Sequence, residues 1–329
     1  MGSKTPVPDT AQRRKLAAGP LSSGDKWFFR STSIAAYFSF LLVALILIFL
    51  FSQAFPILQS QGIDFVLGQE WLPEKDPMVL QLAPMLWGSL VIAFIGVLIA
   101  TPMSISLAYL IQFMLPTKLA KVATTLVDLL AALPSVILGL WGLIVFTPVA
   151  AGWGEILNRF LGFIPIFAVE DTENAFRSSP WIAGWIVAVM IVPIITSVTR
   201  EIFSQIDKDL INGALALGGS KLSTFRRVIF PTSSSGVIGG VLLGLGRALG
   251  ETVAIFYVLN LVMKINWYSL LESKGGAVAS WILARFGEAS PAEKQGLMAA
   301  GLVLFVITLV VNFLANVIVK RAQPWGKNS

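Results

Sequence analysis

The chain has 329 residues, 56% hydrophobic and 13% charged, with a mean hydropathy of +0.79 and a formal net charge of +6. A soluble domain carries about 25% charged residues, so this composition describes a polytopic membrane protein. With no cysteine and no histidine, disulfides, thiol chemistry, histidine general bases and Cys- or His-ligated metals are excluded, and neither a metal site nor a catalytic residue is expected.

Residues 1–30 read as a mobile cytoplasmic tail carrying Arg13, Arg14 and Lys15. The apolar run that follows is long enough to span a bilayer and no small-residue cleavage site follows it, which argues against a secretory signal. Residues 31–85 supply the first transmembrane helix, 34–58, and an external loop with Asp64, Glu70, Glu74, Lys75 and Asp76. The second span covers 86–114 and contains Pro102, which should kink it. The third, 122–149, contains Asp128 and then LPSVILGLWG, whose Pro134, Ser135 and Gly139 suggest a bent helix with loosened backbone lining a cavity. Asp128, near the basic turn of Lys118 and Lys121, reads as an interfacial cap or pair. Ser135 lies deeper, as a pathway residue or as a plain hydroxyl-to-backbone bond.

An amphipathic loop, 150–180, leads to the fourth span, 181–199, with Pro193 inside it. A polar stretch, 200–227, precedes the fifth span, 236–260. A charged loop, 264–295, precedes the sixth, 297–319, closed by Lys320 and Arg321, with 322–329 as a cytoplasmic tail. Six spans put both termini on one side. That side collects 16 of the 24 Lys and Arg residues and the other side seven, with Arg247 inside the membrane. The positive-inside rule then makes the termini cytoplasmic. The basic residues flank spans and do not interleave with aromatics, so no nucleic-acid partner is expected.

The fifth span, GVIGGVLLGLGRALGETVAIFYVLN, reads as one helix with Arg247 and Glu251 on one face. A charge at bilayer depth costs about 2.5–3.5 kcal/mol even on lenient scales, so it normally faces protein or water. Gly236, Gly240 and Gly244 continue that face at small-xxx-small spacing. A self-neutralising structural ion pair is one reading. A pathway for a polar, anionic solute with Arg247 as its binder is the other. Arg before Glu is the poorer order for the helix dipole, and the glycine-rich face favours the pathway.

The polar stretch holds NGALALGGSKLSTFRRVIFP, a short helix broken by Gly218 and Gly219 and followed by a second, a natural docking knob. There is no GxxxxGK[ST] phosphate loop, so the chain does not hydrolyse ATP by that route. This stretch resembles the EAA loop of ABC importer permeases. Asn212, Gly213 and Ala214 hold its first places, followed by Gly218, Val228, Phe230 and Pro231, with Asn212 and Gly213 departing from the usual Glu and Ala. Together with GLGRALGETVA, LLAALPSVILGLWGL and GLVLFVITLVV, in that family's order when taken along the chain, it is similar to the phosphate importer permeases of the PstC type.

The resemblance implies an all-α membrane protein of the type I ABC importer (MetI-like) permease fold, with six transmembrane helices and a cytoplasmic EAA-like coupling helix. Residues 86–321 would be the permease domain. It implies a transport subunit, not an enzyme, that moves inorganic phosphate across the bacterial inner membrane by alternating access. A permease for sulfate or molybdate, or a secondary anion transporter, is the alternative, although the latter has no need of an EAA-like loop. Implied partners are a PstA-type sister permease, a PstB-type ATPase homodimer that holds the ATP and Mg, a PstS-type phosphate-binding protein, and membrane lipid. The family's Arg and Glu of the phosphate path map onto Arg247 and Glu251, with Ser135 and Thr252 expected beside them. Asn212, Gly213, Ala214, Gly218 and Pro231 would couple to the ATPase.

Overall fold

The computed structural model describes residues 22–170 and 175–322, with side chains to 317. Of the two expected tails, residues 1–21 and 323–329 lie outside that description. Helix α1 (Ser23–Gln61) opens the described chain, so residues 23–30 are its first turns. The chain divides between Phe49 and Leu50 into two units. In the first, large apolar side chains such as Trp27, Phe40 and Ile48 are exposed, as befits a helix in an apolar solvent.

In the second unit α1 ends and a short helix, α2 (Asp64–Leu67), leads into a two-stranded antiparallel hairpin, β1 (Trp71–Leu72) with β2 (Val79–Leu80). Helix α3 (Ala83–Tyr109) continues through a π-helical turn, Leu110–Met114. Then come α4 (Thr117–Ala131), α5 (Ser135–Trp141), a π-helical turn at Gly142–Phe146, and α6 (Thr147–Leu161). Helices α7 (Pro180–Ser204), α8 (Lys208–Ala216) and α9 (Lys221–Thr224) follow. A third π-helical turn, Phe225–Ile229, joins α9 to α10 (Phe230–Leu249). The chain closes with α11 (Val253–Val258), α12 (Val278–Arg285) and α13 (Pro291–Ala322).

Among the described residues six rods are long and apolar enough to cross a membrane: Ser23–Gln61, Ala83–Met114, Ser135–Leu161, Pro180–Ser204, Lys221–Leu249 and Pro291–Val317. The expected six spans are present, with two corrections to their limits. The third does not run through 122–149. Pro134 has no N–H to donate and disfavours helical backbone at Leu133, so the chain breaks there and α4 is a separate amphipathic helix. Asp128 accordingly lies on α4, where its Oδ1 accepts from Ser197 Oγ of α7 at 3.4 Å. Arg200 Nη1 donates to Thr124 Oγ1 at 2.5 Å beside it, so the polar row of α4 is tied to α7. The second correction concerns the fifth span, which ends at Leu249 and is no single helix to residue 260.

Helix α7 is the hub. Its side chains are buried along nearly the whole length, packed between α3 and α10. Small residues make the approach close. A Cβ on Gly184 would sit 2.4 Å from Ile95 of α3, and one on Gly96 of α3 would sit 2.8 Å from Val187. On the other flank Gly236, Gly240 and Gly244 of α10 lie against Ile202, Val198 and Ile195 in turn. At Gly236, Gly240 and Gly244 the glycine face is therefore a packing seam filled by α7 side chains. Pro102 and Pro193 both lie inside continuous helices, and Ser104 Oγ of α3 donates to Val192 O beside Pro193 at 3.1 Å.

At the end of the bundle that carries the hairpin, Glu293 is buried. It accepts from Trp71 Nε1 at 2.8 Å and from Arg285 Nε at 3.0 Å, while Ser290 Oγ caps its backbone N–H. A single carboxylate thus fastens the hairpin to α12 and the start of α13.

The seam makes an asymmetric demand on α10. A Cβ at Gly244 would meet Ile195 at 2.8 Å, whereas one at Gly239 meets nothing within 4 Å. Gly244→Leu should overpack the α7 contact and lower stability by about 1–3 kcal/mol, while Gly239→Leu should not. The melting temperatures of the two variants in detergent, side by side, check this.

Candidate functional site

The site forms where α10 stops. Residues 250–252 leave the helix, and α11 starts three residues on. A helix start leaves backbone N–H groups unpaired, and in an apolar span these need an acceptor. Glu251 provides one: its Oε1 accepts from Ala254 N at 3.2 Å. Thr252 closes the break from the other side. Its Oγ1 donates to Gly250 O at 3.1 Å, and its own carbonyl accepts from Ser280 Oγ of α12 at 2.8 Å.

Arg247 lies in the last turn of α10. Its guanidinium is 3.8 Å from Glu251 Oε2, close enough for strong attraction and too far for a hydrogen bond. The two differ in burial. The Glu251 side chain is 5% exposed and the Arg247 side chain 48%. None of the Arg247 N–H groups donates to another described residue, so its planar fork is uncommitted. The arrangement is a fixed carboxylate, held by its backbone bond, beside a guanidinium with donors to spare.

Ser135 opens α5, the helix that packs on α11. Gly139 of α5 leaves room for the backbone of Ala254, where a Cβ would fall 2.8 Å from its Cα, and Gly142 lies beside Val258. Helices α5 and α11 therefore run parallel. Ser135 lies one turn before Gly139 on α5. It begins the span Ser135–Leu161 just after Pro134, half-buried. Two chain breaks, at 132–134 and 250–252, each start a new helix, α5 and α11, and these two helices pack on each other. The sequence pointed to both segments. It did not show that Glu251 caps the next helix.

Asn312 escaped the sequence reading. It lies on α13 against Gly246, one residue before Arg247, with its Nδ2 3.7 Å from where a Cβ would stand. Its Oδ1 is buried with no partner among the described residues. The signal was an amide inside an apolar span, with Asn316 one turn further on.

The second functional region is the knob at the far end of α10. Helix α8 buries none of its residues, and Leu217 just beyond it is 91% exposed, with Leu210, Leu215 and Leu222 also exposed. Asp207 caps α8 by accepting from Asp209 N, and Ser220 caps α9 by accepting from Ser223 N. Between them Gly218 has φ +82°, a conformation that costs other residues about 1–2 kcal/mol. Gly219 is needed for room, since a Cβ there would lie 2.7 Å from Ala214 O. Asn212 and Gly213 are exposed, Ala214 is half-buried and Pro231 stands in the first turn of α10. Beneath the knob Phe225 packs edge-on to Tyr109 (4.7 Å) and to Phe203 (6.5 Å), joining it to the ends of α3 and α7.

From Lys221 to Leu249 the chain is one continuous helical rod. Arg247 therefore lies ~39 Å along the same rod from the knob, at 1.5 Å per residue.

These features define a class: a multi-helix membrane protein of the permease type, with a charged pair at a helix break and an exposed short helix at the far end of the same rod. A family model described as "Binding-protein-dependent transport system inner membrane component" matches residues 100–324. The phosphate transport system permease protein PstC of Xylella fastidiosa (strain 9a5c) is 35% identical over 287 residues, covering 85% of this chain and 87% of that protein. Among solved structures, a permease chain of the bacterial alginate ABC transporter superposes with a TM-score of 0.57 at 16% identity, covering 91% of this chain and 96% of that one. A chain of the MetNI methionine ABC transporter gives 0.56 at 16% identity, covering 73% and 95%. The chain belongs to the binding-protein-dependent inner-membrane permease family, and within it to the PstC-type permeases. It is a multi-pass inner-membrane transport component with the type I ABC importer permease fold.

Because Gly218 has nothing within 4 Å, a side chain there fails on backbone conformation and not on space. Gly218→Val should reshape the knob, leave the membrane level of the protein near normal, and break the link between ATP hydrolysis and uptake. Assaying both in reconstituted vesicles checks this. Coupled uptake at the unmodified rate would contradict it.

Proposed function

We propose that the chain is the permease subunit of an ATP-driven importer that carries inorganic phosphate inward by alternating access. The observation that carries this is Arg247: a guanidinium at a helix break in a span, half exposed, with uncommitted donors, on the rod that ends in the knob. The name of the 35% identical relative favours phosphate over sulfate or molybdate, and the family favours a binding-protein-dependent importer over a secondary transporter.

A sister permease completes the path, an ATPase pair docks on Asn212, Gly213, Ala214 and Gly218 with Pro231 behind them, and an external binding protein delivers the phosphate. In this reading these are of the PstA, PstB and PstS types, and ATP and Mg belong to the ATPase. Both termini are cytoplasmic, which puts the knob on the ATPase side. Residues 1–30 and 322–329 are tails, 31–85 the first span and external segment, and 86–321 the permease domain.

Closure of the ATPase pair on ATP moves α8. The rod from Lys221 onward passes that movement to the site of Arg247, Glu251, Ser135 and Thr252. There the guanidinium fork matches two phosphate oxygens, and low dielectric strengthens the contact. Glu251 stands fixed beside it and weakens the hold, since transport needs release as well as binding. Ser135 offers a hydroxyl at the start of α5. The Thr252 hydroxyl acts through the shape of the break, because it is bonded to Gly250.

Arg247→Gln should abolish phosphate uptake with the complex still assembled, and Arg247→Lys should fall between it and the unmodified protein. Glu251→Gln keeps an acceptor for Ala254 N, so it should preserve the break and slow release, whereas Glu251→Ala should also cost about 1–3 kcal/mol of stability. The double variant Arg247→Gln with Glu251→Gln decides between transport and a mere ion pair. Uptake should stay absent while membrane abundance is normal. Recovery of uptake in the double variant would make the pair structural.

A further inference from the structure

The hairpin end of the bundle carries a site that the transport reading does not use. A groove of about 600 Å³ runs along the outer face of α3, past Leu90, Val91, Phe94 and Leu98. It is apolar, and Phe94 and Leu98 in its wall are 66% and 62% exposed. It lies on the first half of the span Ala83–Met114, a segment of membrane-crossing length and hydropathy.

Over its end sits the loop 266–269. Trp87 Nε1 donates to Asn266 O at 2.6 Å, Trp87 and Trp267 rings lie 5.7 Å apart, and Asn266 Nδ2 donates to Ser269 O. Trp267 and Tyr268 are both exposed, as aromatic side chains at the headgroup level are. The same four residues, 266–269, wall a second and smaller cavity of about 90 Å³, whose lining also includes Glu170, Glu272 and Lys274. Lys274 Nζ contacts Glu272 at 2.5 Å and Glu170 at 3.3 Å. The hydrogen bond that Lys274 Nζ donates to Glu272 raises the Lys274 pKa above the usual lysine value, outweighing burial. The cluster therefore keeps its one positive charge against two carboxylates, and Glu170 turns outward, its side chain 79% exposed.

An apolar groove on a span and a cavity whose described lining sets two carboxylates against one ammonium share one wall, and together they fit one kind of molecule. We propose that this surface is a specific binding site for a phospholipid with a primary ammonium headgroup, its acyl chain in the α3 groove and its ammonium at Glu170. The charge count selects such a headgroup over an anionic one. A helix of the second permease would fill the groove but has no use for the acidic cavity. The site does not depend on the identity of the transported anion.

The test is native mass spectrometry of the assembled complex, this chain with its permease and ATPase partners, given equal phosphatidylethanolamine and phosphatidylglycerol. Retained phosphatidylethanolamine should exceed phosphatidylglycerol several-fold. Leu90→Trp and Leu98→Trp, which fill the groove from its open side, should each lower that occupancy several-fold. Glu170→Gln should bring the two lipids near parity. A diazirine-tailed phosphatidylethanolamine should label residues 90–98 in the unmodified complex, which keeps the test open if a filled variant fails to assemble. Equal retention of both lipids, unchanged occupancy in both filled variants, or crosslinking of Phe94→Cys to the second permease in place of lipid labelling would overturn the site.

Discussion

Glu251 is a carboxylate buried at the chain break just beyond the end of a membrane span, and the site takes its shape from how that charge is satisfied. An unpaired charge at such depth is too costly to keep. Its Oε1 takes the backbone N–H of Ala254, which otherwise has no partner at the start of α11. Its Oε2 faces Arg247 at 3.8 Å. One side chain thereby solves two problems, the free end of a new helix and the stray guanidinium, and holds the break at 250–252 open. Arg247 is left attracted but not saturated, the state in which a guanidinium can take up and release an anion.

That local arrangement matters because of what it is attached to. The glycine seam of α10 brings it against α7 closely enough for Ile191, Ile195 and Val198 to fill the gap. The seam keeps the rod straight against the hub, and the π-helical turn at Phe225–Ile229 carries it into the knob without a loop. In the proposed coupling a displacement at α8 crosses the Gly218–Gly219 turn and then follows the rod to Arg247. Tyr109, Phe203 and Phe225 brace the knob on the ends of α3 and α7, so the movement is shared with the hub. The hairpin end is pinned separately, by Glu293 with Arg285 and Trp71.

Much of this was legible in the amino-acid order. Apolar runs of spanning length, Arg247 and Glu251 in a glycine-rich stretch, and the Gly218–Gly219 break all carry local signals that do not depend on neighbours. The two misplaced span limits have a common cause. Hydropathy is blind to a break of three residues when the residues stay apolar, as at Ala132–Leu133–Pro134, or when a side chain compensates it, as Glu251 does. The glycine face was read as a pathway wall because spacing shows which residues share a face and not what fills it. The pairing of Trp71 with Glu293, 222 positions apart, has no local signature at all. Neither has the close approach of Asn312 to Gly246.

The rigid connection from knob to anion site is open to direct measurement. The chain has no cysteine, so spin labels can be placed at Leu222→Cys, Leu243→Cys and Ile137→Cys, all exposed positions. Pulsed electron resonance on the assembled complex then gives distances with and without a non-hydrolysable nucleotide. The distance from Leu222 to Leu243, along the rod, should not change, while that from Leu243 to Ile137, across the two breaks, should. A nucleotide-dependent change within the rod itself, with the distance across the breaks constant, would contradict the coupling of α8 to Arg247.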